Sequence, residues 1–139
     1  MRDDHLFSLQ STFIDEHQTR DASFAAGLSA NPSDTLRTFR IGGSWYYRRR
    51  YGVALGYFNT TGSTDTLLYA PAPVTGSAGG RPDSRGWIAE LDYLPWQNVK
   101  LALQYTLYNK FNGGSTNYDG FGRNASDNNT LYALGWIAF

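Results

Sequence analysis

Val99-Lys100-Leu101-Ala102-Leu103-Gln104-Tyr105-Thr106-Leu107-Tyr108-Asn109-Lys110 alternates almost without a break. Val99, Leu101, Leu103, Tyr105 and Leu107 share one parity, and Lys100, Gln104 and Thr106 fall on the other. Successive side chains of a strand point to opposite faces, so this segment has one apolar face and one mixed polar face. An apolar repeat of two argues for a strand rather than a helix. A tilted strand of ~9–11 residues crosses a bilayer, and this run is long enough.

The same rule extends outward to six strand-like segments: about His5 to Glu16, Thr35 to Arg48, Tyr51 to Thr60, Ser84 to Leu94, Val99 to Lys110 and Asn129 to Phe139. In the second the odd positions are Phe39, Ile41, Gly43, Trp45 and Tyr47, and in the third Tyr51, Val53, Leu55 and Tyr57. The fourth has Trp87, Ala89, Leu91 and Tyr93, and the sixth Leu131, Ala133, Gly135, Ile137 and Phe139. None is charged. The even positions hold Arg40, Glu90, Asp92 and Lys100, all of the mid-strand charges. The first strand keeps the parity through Phe7, Leu9 and Phe13 but is interrupted by Ser11, and the sixth is apolar on both faces.

The connections alternate in length. Long ones, rich in Gly, Ser, Thr, Asn, Asp and Pro, run from about His17 to Asp34, Thr61 to Asp83 and Phe111 to Asn128. Short ones lie at Arg48–Tyr51 and Pro95–Asn98. Outer-membrane barrels have long extracellular loops and short periplasmic turns. With the end of the sixth strand in the periplasm, all the long loops fall outside and both short turns inside. Trp45, Tyr47, Tyr51, Tyr93, Trp96 and Phe139 then map to the periplasmic end, and Phe39, Tyr57, Trp87 and Tyr105 toward the outer end. Amphipathic rings favour the two membrane interfaces, so these positions read as girdles.

Composition agrees. Aromatics make up 16% of the 139 residues and there are 15 glycines. Charged residues are 17%, against roughly 25% in soluble domains. Mean hydropathy is nonetheless −0.45, and no run of about 18 apolar residues exists. A barrel strand shows lipid only every second residue, so its average stays polar. Net charge is zero, which lacks the basic footprint of a nucleic-acid binder. The absence of cysteine excludes disulfides, thiolate metal sites, a Cys nucleophile and covalently attached c-type haem.

Asn128-Asn129-Thr130-Leu131-Tyr132-Ala133-Leu134-Gly135-Trp136-Ile137-Ala138-Phe139 resembles the closing strand of porin-like Gram-negative outer-membrane β-barrel proteins. In that family the last residue is aromatic, commonly Phe, and alternate residues before it are apolar, as Ile137, Gly135, Ala133 and Leu131 are here. Gly135 and Ala133 are smaller than the pattern usually carries. The resemblance implies that the barrel assembly machinery reads this strand as an insertion signal. The stretch Tyr108 to Phe139 is also similar to the C-termini of large proteobacterial barrels found alongside outer-membrane cytochromes, which implies such a cytochrome as a partner.

The expected fold is therefore all-β: an antiparallel up-and-down meander of about six strands, the C-terminal part of a transmembrane β-barrel, over residues 1–139 as a single segment. Single-chain bacterial barrels start at eight strands, and Met1-Arg2-Asp3-Asp4-His5 lacks the apolar run of a signal peptide. Upstream strands and an export signal, or other chains, are expected to complete the barrel.

Arg40, Glu90, Asp92, Lys100 and Gln104 share the inward parity. They read either as a polar lumen wall that tunes passage of ions and small solutes or as ion pairs packing a narrow interior. Glu90 and Asp92, two apart on one strand, lack a partner nucleophile for paired-carboxylate catalysis. His5 and His17 lie a strand length apart and read as exposed polar residues. Asp119, Asn124 and Asp127, with Gly120 and Gly122, could offer oxygens to Ca²⁺, but the spacing is not that of an EF-hand and an ordinary solvated loop is the expectation. Arg48-Arg49-Arg50 reads as a periplasmic turn that snorkels to headgroups or stays hydrated. No catalytic residue, metal or cofactor is expected. The functional expectation is a barrel segment in a channel, or a sheath for an electron-transfer or other partner, in contact with outer-membrane lipid. The alternative is a soluble β-barrel or sandwich that binds a small ligand.

Overall fold

The structure, a computed structural model, describes residues 4–139. The reading of Met1-Arg2-Asp3 as lacking an export signal falls outside that range. Six strands form one antiparallel sheet in strict sequence order, and the sheet does not close. They are β1 (His5–Thr19), β2 (Ser33–Tyr47), β3 (Tyr51–Gly62), β4 (Ser84–Trp96), β5 (Val99–Lys110) and β6 (Thr130–Ile137). A short helix α1 (Asp21–Ala25) and a 3₁₀ turn at Ala125–Asn128 sit in the long connections.

The meander agrees with the sequence reading, and the differences at the strand ends have local causes. β1 runs on to Thr19 and β2 starts at Ser33 because the Arg20 amide donates to the Pro32 carbonyl at 2.7 Å and Arg20 pairs with Asp34 at 2.7 Å. β2 stops at Tyr47 because Arg48 and Arg49 turn to positive φ, 52° and 54°. β4 reaches Trp96 through a register shift between Tyr93 and Trp96, which accommodates Pro95. β6 starts one residue late, after the 3₁₀ turn and Asn129, and ends at Ile137 rather than Phe139.

Register carries the parity across the whole sheet. Phe7, Trp45, Val53, Leu91, Leu103 and Ala133 form one row. The next row toward the loops is Leu9, Gly43, Leu55, Ala89, Tyr105 and Leu131, so Tyr105 lies in the middle of the sheet rather than toward its outer end. A row of the other parity reads Ser8, Ser44, Ala54, Glu90, Gln104 and Tyr132.

Burial is inverted relative to a water-soluble sheet. Among the described residues only Ala102, Tyr118 and Ala125 are buried hydrophobics, whereas Asp34, Asp65, Asp83, Asp92 and Asp119 are buried. Leu9, Ile41, Val53, Leu55, Leu91, Leu101 and Leu103 are exposed. The accessible area is 9378 Å², against roughly 7,200 Å² for a compact monomer of this mass. The chain therefore keeps its apolar surface outside. The even face is partly buried although its middle carries no covering layer, which requires the sheet to curl toward it. That face is concave and polar, and the odd face is convex and apolar.

Two glycine contacts help the curl. A Cβ on Gly52 would collide with the Tyr46 ring, and one on Gly86 would lie 2.9 Å from Phe58 and collide with the Leu107 carbonyl oxygen. Tyr46 is directly opposite Gly52 and Phe58 directly opposite Gly86. Each ring thus folds across its neighbour's bare backbone, an arrangement that promotes strand curvature.

Candidate functional site

The concave wall between β2 and β5 carries one connected polar network. Lys100 Nζ lies 2.9 Å from Glu90 Oε1 and 2.9 Å from Asp92 Oδ1. The Tyr46 hydroxyl donates to Asp92 Oδ2 at 2.5 Å, and Gln104 Nε2 donates to Glu90 Oε2 at 2.8 Å. Register explains how they meet. Glu90 is opposite Gln104, Asp92 is opposite Ala102, and Tyr46 crosses the empty position at Gly52 to reach Asp92 on the strand beyond. The Asp92 side chain is 1% exposed, so its charge relies on Lys100 and Tyr46 for compensation.

Four of the five inward residues expected from sequence, Glu90, Asp92, Lys100 and Gln104, are therefore brought together. Arg40 stands apart, exposed and without an ion pair among the described residues. It is four residues and two strands from Glu90, a backbone separation of roughly 16 Å at ~3.3 Å per residue and ~4.8 Å per strand. A hollow of about 380 Å³ opens between them, lined by Gln10, Thr12, Arg40, Ser44, Glu90 and Gln104 among others. Tyr46 was missed as a network member. Its inward parity was legible, and the tight turn at Arg48–Arg50 sets it opposite Gly52, but its reach across the glycine is a property of the folded sheet.

The aromatic residues expected from sequence to form girdles lie on the convex face or at the end of β6. His5, Trp45 and Tyr47 cluster at the short-turn end, with Trp45 Nε1 donating to His5 Nδ1 at 3.1 Å, and Tyr51 stacks on Tyr93 at 5.4 Å. Tyr57 and Trp87 pair at 5.0 Å two to three rows away, with Leu55, Leu91 and Leu103 between the two sets. Phe139 is fully exposed beyond the end of β6. His17 is exposed at the opposite end of β1 from His5, near Thr35.

The long connections are packed together rather than loosely solvated. Asp65 is fully buried and accepts hydrogen bonds from Ser29 Oγ at 2.5 Å, Ala30 N at 2.9 Å and Leu68 N at 2.8 Å, joining the first loop to the second. Asp119 is also fully buried and accepts from Val74 N at 3.1 Å, Phe121 N at 2.8 Å and Arg123 N at 3.2 Å, joining the second to the third. The expectation of a solvated loop around Asp119 is corrected at this residue, because its carboxylate replaces water with amides. Asn124 and Asp127 close a reciprocal capping box on the 3₁₀ turn. Burial alone would raise the Asp65 carboxyl, but the donors from Leu68, Ser29, Ala30 and Leu67 outweigh it and hold the group below its ordinary value. Asp119 is lowered on the same balance, burial against the amides of Phe121, Val74 and Arg123. A ladder of edge-on rings, Phe58, Tyr108, Phe111 and Tyr118, runs from the concave wall into this loop layer with centroids 4.9–5.5 Å apart.

No group of three or more His, Cys, Asp or Glu side chains among the described residues is arranged to hold a metal ion. No helix among them is long and apolar enough to cross a membrane, which says nothing of strands. No protein-family model, curated protein or solved structure matches the chain.

Proposed function

We propose that this chain is a wall segment of a Gram-negative outer-membrane β-barrel, a non-enzymic, porin-like channel or a sheath for a partner such as an electron-transfer protein. The observation that carries this reading is the sidedness of the sheet: a largely apolar convex face, exposed, and a concave face on which Lys100 joins half-buried Glu90 to buried Asp92 while Arg40 stays exposed. Lipid stabilises such a convex face, since each exposed leucine costs ~1.5–3 kcal/mol in water relative to burial. The concave wall faces the lumen. There Arg40 and the Glu90–Lys100–Asp92 network act collectively through their field on ions and small solutes, as charged rings do in pores. The unpaired edges of β1 and β6 are joined by further strands, from the same protein or other chains, because an open edge in lipid leaves amides and carbonyls without partners. The apolar alternation of β6 suits recognition by the barrel assembly machinery.

The test is a pair of adjacent substitutions. Leu103→Arg places a charge on the convex face near the middle of the apolar band and is expected to cost about 2–4 kcal/mol of folding stability in lipid vesicles. Gln104→Arg points into the hollow beside Glu90 and is expected to be tolerated. Equal costs by urea titration at the two positions would sink the membrane reading and favour a soluble ligand-binding sheet.

A further inference from the structure

We propose that the Arg48-Arg49-Arg50 turn is a binding site for the phosphate headgroups of anionic phospholipids, an inference that rests on the membrane reading. Arg48 and Arg49 both lie at positive φ, 52° and 54°, and the Arg50 amide donates to the Tyr47 carbonyl at 3.0 Å. This is the pattern of a primed hairpin turn, whose two central positions are filled most easily by Asn and Gly. Two arginines hold them here against that preference, and an observed backbone outlier of this kind points toward a role for the side chains.

The three guanidinium groups have few protein partners, Arg50 donating to the Tyr93 hydroxyl at 3.4 Å. The one carboxylate within ion-pair reach among the described residues is Asp4, 3.6 Å from Arg48, with both side chains well exposed. Arg49 and Arg50 form no ion pair among the described residues; at the loop end Arg20, Arg37 and Lys110 are matched by Asp34, Asp15 and Asp83, and Arg81, Arg85 and Arg123 form none among the described residues. At the turn three consecutive arginines have one described carboxylate, Asp4, within ion-pair reach, whereas the cations of the loop end are spread among Asp15, Asp34, Asp65, Asp83, Asp119 and Asp127.

Position selects the ligand. Arg48 lies over the Tyr47 ring at 5.1 Å and Arg50 over the Tyr93 ring at 5.7 Å. Tyr47 and Tyr93 belong to the aromatic clusters that bound the apolar band, so the cations sit where the band ends. Headgroup phosphates lie at that level of a bilayer, and a guanidinium pairs with phosphate through two parallel hydrogen bonds. A nucleic acid would need a wider basic surface than this one turn supplies.

The experiment folds the full chain into vesicles of phosphatidylcholine and of phosphatidylcholine mixed with phosphatidylglycerol. Partitioning is read by tryptophan fluorescence and folding by heat-modifiable gel mobility. The unmodified chain is expected to favour the anionic vesicles about tenfold, in line with the attraction of clustered arginines to anionic lipid. The variant Arg48→Asn/Arg49→Gly/Arg50→Gln removes the charge while giving the turn its preferred residues, so damage to the hairpin cannot explain a loss. It is expected to insert into neutral vesicles as the unmodified chain does and to lose the preference for anionic ones. A variant that keeps the full preference overturns the assignment. Loss of the preference on adding millimolar inorganic phosphate at constant ionic strength overturns it too, since the site would then be one for free phosphate. Equal entry of the unmodified chain into both vesicles overturns this site and leaves the membrane reading standing, whereas failure to enter either, at concentrations that let open edges pair between copies, overturns the membrane reading and this site with it.

Discussion

Tyr46 and Gly52 sit directly opposite each other, and the ring occupies the space a side chain at 52 would need. Gly52→Ala puts a methyl group into collision with the ring and 2.9 Å from Asp92 Cβ, so Tyr46 must swing out and release Asp92. The expected cost is about 1–3 kcal/mol, the usual penalty of overpacking, read by urea titration of the folded chain in micelles. Tyr46→Phe keeps the ring and removes only the donor to Asp92, and is expected to cost about 1–2 kcal/mol. A Gly52→Ala chain as stable as the parent would show that the ring-over-glycine contact is incidental. At this scale the sequence was informative in part. Parity alone marked Glu90, Asp92, Lys100 and Gln104 as neighbours on one face. It could not mark Tyr46 as their partner, because a contact two strands away depends on an intervening side chain being absent.

Among elements, the long connections departed furthest from expectation. Their composition reads as loop, and loop it is, but Asp65 and Asp119 each staple one connection to another through backbone amides. The pairing partners lie as far apart as Ala30 and Asp65, or Val74 and Asp119, and no local motif announces them. The staples carry a pH dependence whose sign follows from the depressed carboxyl of Asp65. Its contribution to loop order is complete above the ordinary value of 3.8 and drains away as pH falls below it toward the lower folded value. Protease cleavage of the loops is therefore expected to be constant from neutral pH down to about pH 4 and to rise below it. Asp65→Asn is expected to raise cleavage already at neutral pH, and equal cleavage of parent and variant would remove the staple from the account. The strands behaved differently: all six were legible, and their ends shifted by a few residues, among other places where Pro95, the Arg48–Arg49 turn or the Arg20–Asp34 pair intervened and at both ends of β6.

For the whole molecule, sidedness is the property that can be measured. Trp87 is 46% exposed on the convex face and Trp136 is 53% exposed on the concave parity of β6. Water sees both almost equally, so accessibility alone cannot tell them apart. Lipids brominated on the acyl chain can, because they quench only a ring that touches them. Variants retaining Trp87 alone are expected to be quenched strongly, and variants retaining Trp136 alone weakly. Equal quenching would contradict the assignment of faces. The same sidedness explains the large exposed area: the curled sheet has put its apolar side chains outside, which is the surface the proposed lipid contact would cover.

The sequence by itself determined the strands, their order and which residues share a face, because a period of two and turns too short to cross over leave an antiparallel meander as the simple outcome. It also determined that the mid-strand charges lie on one parity and the aromatics mostly on the other. Tertiary structure decided which parity is concave, how Lys100 divides itself between Glu90 and Asp92, that Arg40 stays apart, and that the long loops lock onto one another. Those outcomes depend on curvature, on the glycine at 52 and on amide donors brought from distant loops, and none of these is carried by the order of residues along a single strand.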